Sequence, residues 1–206
     1  MTAADSPNDP NPAPGARDVQ DQALEHDAER FMRAFESAAP ALRAWAVLKC
    51  RGPIGRAVTS DDLEQEVCLQ ALRAFARYDP NRGPFRPWMF GVASRVAAEA
   101  LRRLARGKLL PGAPLSQAHA ARIPAELTTI SRRARRDEAV EAVLADLEGL
   151  NEDDRRLFLY RGLEGLSHAQ TANMLGISEE NAAKRWQRIR ERLQGFASTQ
   201  ALLAED

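Results

Sequence analysis

The chain has 206 residues, 44% of them hydrophobic and only 6% aromatic, which allows one large domain or two small ones with packed cores. Scarce aromatic residues and β-branched runs favour helices over sheets. Lys plus Arg and Asp plus Glu both number 29, and this neutral total would argue against a nucleic-acid binder if the charges were not segregated along the chain.

Residues 1–27 are predicted to form an acidic, disordered tail. They contain four prolines and almost no large apolar residue, so they lack the side chains needed to form a core. An acidic, Pro-rich start also has the wrong charge for a secretory signal peptide. Helical periodicity begins near Ala28, with Phe31 and Phe35 four residues apart. Pro40 interrupts this pattern, and it either starts a second helix or kinks one.

The first predicted domain spans residues 28–106. A loop with two glycines and a proline leads to a helix whose N-cap is Ser60 or Asp61, and acids fill its opening turns, where the helix dipole favours negative charge. This helix ends before the turn YDPNRGP at 78–84, which contains two prolines and a glycine. Another helix is predicted from about Phe85 to Arg106.

A Pro- and Gly-containing, mostly basic segment at 107–135 is predicted to be a flexible linker between the domains. A second helical domain, 136–197, follows it. It opens with a strongly acidic stretch at 137–154 and later carries a basic one at 184–192. Such alternation of charge indicates both anionic and cationic partners.

Residues 166–193 are typical of a helix-turn-helix. Ser167 caps a short helix, Gly176 occupies a turn that needs a positive φ, and Ser178 caps a second helix rich in Lys and Arg. These offsets favour a helix that enters the DNA major groove over an ordinary helical hairpin with a solvated charged face. The residues placed to contact base edges include Asn181, Lys184, Arg185 and Arg188.

Two segments together resemble the sigma-70 family of RNA polymerase specificity subunits. The segments are 61–103, which begins DDLEQEV, and 147–193, which ends RIRERL, and they have the order and spacing of the family's short extracytoplasmic-function group. The resemblance implies an all-α chain of two small helical domains, joined by a flexible linker and preceded by a disordered tail. It also implies a function: binding core RNA polymerase and directing promoter-specific initiation by recognising minus 10 and minus 35 elements.

The resemblance assigns the helix that opens with DDLEQE to polymerase binding. Its residues Asp62, Gln65 and Glu66 would dock on the basic coiled-coil clamp of the β′ subunit, and the β flap is a further expected contact. An acidic, exposed helix face suits such a cationic partner. The alternative is that these acids only match the helix dipole.

The turn at 78–84 and the following helix resemble the part of the family that captures the minus 10 element as single strand. Arginines there would hold phosphates, and aromatic rings would stack on unpaired bases. The minus 10 candidates are Tyr78, Arg82, Phe85, Arg86, Trp88 and Arg95. Trp88 and Phe90 are alternatively core residues. Gly91 and Val92 stand where housekeeping members have a Trp pair, which implies weaker melting and narrower promoter choice.

Several other function classes are excluded or weakened by the sequence. A simple helix-turn-helix regulator would have no use for the 61–106 segment, and the three scattered histidines with no P-loop or nucleophile elbow argue against an enzyme. Cys50 and Cys68 lack zinc-site spacing and are expected to be small buried hydrophobes in a reducing cytoplasm. No run of about 18 apolar residues occurs. We expect no cofactor or metal and a cytoplasmic location. The sequence does not determine whether an anti-sigma factor is also a partner.

Overall fold

The computed structural model describes residues 14–109, Leu115, Thr129, residues 138–194 and Leu203, excluding the side chains of residues 14–25 and of Ala139. These ranges contain seven α-helices: α1 (Pro14–Cys50), α2 (Ser60–Ala74), α3 (Phe85–Ala105), α4 (Glu138–Glu148), α5 (Glu152–Leu157), α6 (His168–Leu175) and α7 (Glu179–Leu193). Short 3₁₀ turns lie at Pro53–Arg56, Phe75–Arg77 and Pro80–Arg82, and a π-helical turn lies at Phe158–Leu163. No strand occurs in the described ranges, which agrees with the predicted all-α class.

Helix α1 begins earlier than predicted. It starts at Pro14 and runs without interruption through Pro40, so the predicted tail at 1–27 is helical in its second half. Proline is well tolerated in a first helical turn because its missing N–H has no partner there, and the Ala, Gln and Glu that follow are good helix formers. Residues 1–13 lie outside the described residues.

The first domain is a bundle of α1, α2 and α3. Helix α1 places Phe31, Phe35, Leu42 and Trp45 in the core at helical spacing, and none of them is measurably exposed. Removing each such side chain from water contributes about 1.5–3 kcal/mol to stability. Helices α2 and α3 complete this core with apolar residues that include Leu63, Val67, Met89, Phe90 and Ala93.

The two cysteines are free thiols in this first domain. Cys68 is 2% exposed, and burial raises its thiol pKa to about 12. Cys50 is half-buried, and desolvation raises its pKa to about 11. Since the thiolate is the reactive form, neither residue is activated as a nucleophile. Cys68 is the buried hydrophobe that the sequence predicts, whereas Cys50 is only partly buried.

The second domain comprises α4 to α7 around residues such as Val143, Leu147, Leu157, Phe158 and Trp186. Asn151 caps α5 by accepting a hydrogen bond from the backbone N–H of Asp154 at 2.9 Å. The π-helical turn Phe158–Leu163 follows α5 directly, and the N–H of Glu164, which caps its end, donates to the carbonyl oxygen of Leu159. This turn determines where the Glu164 side chain points.

The predicted linker at 107–135 lies outside the described residues except for 107–109, Leu115 and Thr129. Leu115 is 7% exposed and packs on the first domain, where the guanidinium of Arg103 donates to its carbonyl oxygen. Among the described residues, no helix has both the length and the apolar character required to cross a bilayer.

Candidate functional site

The helix-turn-helix predicted from the sequence is present as α6, a turn and α7. The Ser167 hydroxyl accepts from the N–H of Gln170, and the Gln170 side chain accepts from the N–H of Ser167, a reciprocal capping box. Gly176 ends α6 at φ 68°, where other residues are strained, and Ser178 caps α7 by accepting from the N–H of Asn181. The predicted caps and glycine turn are confirmed.

Helix α7 has one buried and one exposed face. Its buried face carries Ala182, Trp186, Ile189 and Leu193, each no more than 6% exposed. The opposite face presents a row of exposed polar residues at helical spacing: Asn181, Lys184, Gln187, Arg188 and Glu191. Donors and acceptors on one exposed, well-anchored helix face can contact base edges in a major groove about 12 Å wide.

Three of the four residues predicted to contact the minus 35 element lie on this face: Asn181, Lys184 and Arg188. Lys184 forms a 2.6 Å pair with Glu180, and both side chains are exposed, so the pair is weak and open to exchange. The sequence analysis missed Gln187, whose amide donates to Glu191 at 3.0 Å. Gln187 follows Lys184 by three residues, and this helical spacing places both side chains on the same face of α7.

Arg185 is placed differently from the sequence prediction. Its Nε donates to Asp154 at 2.9 Å, its Nη2 lies 2.7 Å from the same carboxylate, and only 15% of its side chain is exposed. One residue along an α-helix is a rotation of about 100°, so Arg185 turns away from the face that carries Lys184. In this structure it fastens α7 to α5 and is not on the exposed face.

The predicted minus 10 turn is built around packed aromatic rings. The Tyr78 ring lies 5.7 Å from that of Phe85 and 5.1 Å from that of Trp88, and the Phe85 and Trp88 rings are 5.5 Å apart. The Tyr78 hydroxyl donates to the carbonyl oxygen of Gly83 at 3.1 Å, which closes the turn. All three rings are half-buried, so each keeps an exposed surface while the core holds it in place.

The sequence allows Trp88 and Phe90 to be either core residues or base-contacting residues, and the structure places the two differently. Phe90 is 1% exposed and packs edge-on against Trp45, which makes it a core residue. Trp88 packs on Phe75 and on the aromatic turn but retains exposed surface. Trp88 therefore packs on the core and keeps surface that a base could reach, and its contact with a base stays a prediction.

The three arginines predicted to bind minus 10 phosphates are not brought together. Arg82 lies exposed in the aromatic turn. Arg95 is exposed on α3 and donates to the carbonyl oxygen of Gly91 at 3.1 Å. Arg86 is half-buried, with its guanidinium 5.7 Å from the centre of the Phe90 ring and its Nη1 donating to Leu203 at 2.9 Å. Of the three, Arg82 alone accompanies the exposed edges of the aromatic rings.

The polymerase-binding candidates on α2 also differ from one another. The N-cap is Thr59, one residue before the predicted Ser60 or Asp61, and its hydroxyl donates to Asp62 at 2.7 Å. Gln65 is exposed and Asp62 half-buried, but Glu66 is 2% exposed and accepts from Gln70 at 2.8 Å. The expectation of an exposed acidic face that includes Glu66 is wrong, because Glu66 lies in a groove between α2 and α3.

Other acids of α2 are paired inside the domain. Arg43 of α1 lies 2.6 Å from Asp61 and 3.5 Å from Glu64, and Glu64 is 1% exposed. The acid-rich start of α2 is thus partly an internal ion-pair network. Within the described residues, no group of three or more His, Cys, Asp or Glu side chains is placed to hold a metal ion.

Two family models match the chain, "Sigma-70 region 2" over residues 34–107 and "Sigma-70, region 4" over residues 141–193. The chain is 29% identical over 139 residues to "ECF RNA polymerase sigma factor SigD" of Mycobacterium tuberculosis, covering 66% of this chain and 63% of that protein. It is 30% identical to "ECF RNA polymerase sigma factor ShbA" of Streptomyces griseus, covering 66% of this chain and 71% of that protein. This chain therefore spans less than two thirds of the length of SigD.

A solved structure, "Structure of CnrH in complex with the cytosolic domain of CnrY", also aligns with the chain. The alignment covers 87% of this chain and 94% of the solved one at 21% identity, with a TM-score of 0.36.

Proposed function

This chain belongs to the sigma-70 family of RNA polymerase sigma factors, and we propose that it binds core RNA polymerase and directs promoter-specific transcription initiation in the cytoplasm. The observation that carries the proposal is the presence in one chain of two separate surfaces suited to DNA. One is the exposed face of α7, and the other is the aromatic turn at 78–88 with its exposed Arg82. A simple repressor needs only the first of these.

The face of α7 is the proposed reader of the minus 35 element as duplex. Asn181 and Gln187 offer amide groups suited to adenine, and Lys184 and Arg188 offer donors suited to guanine. Four buried apolar residues hold the helix in place, so these side chains project from a rigid support. We propose that Arg188 makes the strongest base contact, because a guanidinium can bond to guanine through two donors.

The aromatic turn is the proposed reader of the minus 10 element as single strand. Tyr78, Phe85 and Trp88 share a packed cluster that is only partly covered, which provides a surface on which unpaired bases stack. Arg82 lies exposed within the same turn and supplies the charge for a phosphate. This irregular backbone suits splayed bases better than a regular groove.

The proposed polymerase-binding surface is the start of α2, limited to its accessible residues Asp62 and Gln65. A cationic partner such as the coiled-coil clamp of β′ would complement it. The β flap and an anti-sigma factor are further proposed partners.

The test of the proposed function uses the full chain with core RNA polymerase. The chain should co-purify with the core enzyme, and the complex should start transcripts at a small set of promoters that core enzyme alone does not use. Absence of a stable complex, or transcription from the same sites with and without the chain, would refute the function.

A double change of Asp62→Asn with Gln65→Lys should weaken core binding about tenfold, equivalent to about 1.4 kcal/mol. It removes a negative charge and adds a positive one at the accessible part of α2, while Asn keeps an acceptor for the Thr59 hydroxyl. The matched control is Glu29→Lys, which makes the same change in net charge at a side chain that is 65% exposed on α1. Binding is measured by titration of labelled chain with core enzyme. Equal losses for both variants would show a general charge effect and reject this surface.

A further inference from the structure

Arg185 of α7 and Asp154 of α5 form an ion pair inside the second domain. Their side chains are 15% and 23% exposed, so this pair is far better shielded from solvent than the pair of Lys184 with Glu180. The Nε of Arg185 donates to one carboxylate oxygen of Asp154 at 2.9 Å, and its Nη2 lies 2.7 Å from the same oxygen. Because two nitrogens of a rigid, planar guanidinium contact this oxygen, the contact restrains the direction of the arginine side chain as well as its distance.

Asp154 is itself held by the N-cap of α5. Its second carboxylate oxygen accepts from the side-chain amide of Asn151 at 2.9 Å, and its backbone N–H donates to the amide oxygen of Asn151 at 2.9 Å. The two carboxylate oxygens thus serve different partners, one on α7 and one at the start of α5. A carboxylate can do this because both of its oxygens are acceptors, whereas an amide in its place has one acceptor oxygen and would lose one of the two bonds.

A second arginine attaches the far end of α7. Gly149 follows α4 directly, and a Cβ built on it would come within 2.6 Å of the Nη2 of Arg192, so this guanidinium lies against the glycine. A cation in this place complements the negative C-terminal end of α4. Arg185 and Arg192 are seven residues apart, which places them on the same side of α7 and about 10 Å apart along its axis. Two attachments on one side restrain how α7 is oriented in the domain.

The buried apolar face of α7 restrains its rotation less, because hydrophobic contacts have no preferred direction. The indole N–H of Trp186, a polar atom on that face, has no hydrogen-bond partner among the described residues. A rotation of about 15° moves a side-chain tip that is about 6 Å from the helix axis by about 1.5 Å. A hydrogen bond to a base edge tolerates only about 2.7–3.2 Å between its heavy atoms. A small rotation of α7 is therefore enough to break such a bond.

We propose that Asp154 is a positioning residue for base recognition, which acts through Arg185 by setting the rotation of α7. The exposed side chains of Lys184 and Arg188 are thereby aligned with the base edges that they contact. Asp154 itself touches no DNA. The proposal rests on the proposed function, because it states how the face of α7 discriminates between one minus 35 sequence and another.

A positioning role and a purely stabilising role have different effects on sequence preference. Loss of a purely stabilising contact lowers the folded fraction, and this reduces the affinity for every duplex by the same factor. Misalignment of α7 instead weakens binding to the preferred sequence and leaves binding to other sequences nearly unchanged. The ratio of the two affinities therefore separates the roles.

The test uses the full chain in complex with core polymerase and two duplexes. One carries the minus 35 sequence that the wild-type complex selects from a random pool, and the other carries a single-base change within it. Such a change is expected to weaken wild-type binding roughly five- to 150-fold. Asp154→Asn should reduce this ratio at least threefold. Arg185→Lys keeps the charge but lacks the planar guanidinium, and it should reduce the ratio in the same direction.

The matched control is Asp153→Asn, which removes the same charge from the same first turn of α5. The Asp153 side chain is 63% exposed and lies 3.8 Å from Arg185, so its contact is weak and the ratio should stay at the wild-type value. A second measurement needs neither polymerase nor DNA. Amide hydrogen exchange of the free chain should be faster along α7 in Asp154→Asn than in Asp153→Asn, with equal helicity by circular dichroism.

An equal loss of affinity for both duplexes in Asp154→Asn would be a stability effect and would overturn the positioning role. The same fall in the ratio for Asp153→Asn, or wild-type hydrogen exchange along α7 in Asp154→Asn, would overturn it too. If Asp154→Asn loses helical signal, the ratio for Arg185→Lys decides between the two roles. A wild-type complex that selects no sequence would reject the proposed function and the positioning role together, whereas failure of the positioning role alone leaves wild-type selection intact.

Discussion

Replacing Arg188 with Ala is expected to weaken binding to minus 35 duplex by roughly five- to 150-fold, equivalent to about 1–3 kcal/mol, without lowering the unfolding temperature. Arg188 is exposed on α7 beside Lys184 and Gln187, on the face opposite the buried one. The loss should fall on closed-complex formation and be confined to promoters with an intact minus 35 element.

Arg185→Ala is the informative counterpart, because it removes a positive charge one turn earlier on the same helix. The Arg185 side chain bridges α7 to Asp154, so its loss should lower domain stability by about 1–3 kcal/mol. Duplex affinity, measured below the unfolding transition, should change less than for Arg188→Ala. Both variants are compared by thermal unfolding and by titration of holoenzyme with promoter duplex selected from a random pool. If Arg185→Ala has normal stability but loses as much duplex affinity as Arg188→Ala, then Arg185 contacts bases as the sequence predicts.

Arg82→Ala and Trp88→Leu are expected to leave the closed complex intact and to slow strand opening by roughly five- to 150-fold. Stacking of a base on an aromatic ring contributes about 1–3 kcal/mol, and Trp88 is the largest ring in the turn with exposed surface. Leu retains apolar contact with Phe75 and Phe85, so the turn should keep its packing. Arg82 is exposed, so its truncation affects charge and not the core.

A template whose minus 10 element is already single-stranded separates a defect in melting the duplex from a defect in binding the single strand. It should rescue the part of each turn defect that comes from opening the duplex, and it should rescue nothing for Arg188→Ala. Arg77→Ala, a loss of the same charge at an exposed position outside the turn, should open promoters at the wild-type rate. Equal rescue of turn variants and Arg188→Ala, or rescue of neither, would reject the division of labour between the two surfaces.

The parts of the fold that the sequence predicts correctly are those determined by near neighbours in the chain. Ser167, Gly176 and Ser178 act within four residues of themselves, so their cap and turn roles follow from spacing alone. The end of α3 is predicted in the same way, because the Gly- and Pro-containing stretch that begins at Gly107 follows it directly. Element type and domain order thus require no knowledge of tertiary contacts.

What the local sequence does not determine is which face of a helix is covered, and by which residues. In the sequence, Glu64 looks the same as a solvated acid. In the fold, Arg43 of α1, 21 residues earlier, lies beside it. Arg185 differs from Lys184 by about 100° of helix rotation, which decides between an internal ion pair and an exposed face. Glu164 and Trp45 meet across 119 residues, and no local pattern marks either as a partner of the other.

The π-helical turn at Phe158–Leu163 has an evolutionary consequence. A π turn is a helix with one extra residue accommodated as a bulge, and one residue corresponds to about 100° of α-helical rotation. Deleting a single codon here would restore a regular helix and swing the carboxylate of Glu164 away from Trp45. A lineage can thus gain or lose the contact between Glu164 and Trp45 by one in-frame insertion or deletion, with the sequences of α7 and of the turn at 78–84 left unchanged. In an alignment, descendants of such an event would differ by a one-residue gap just before position 164.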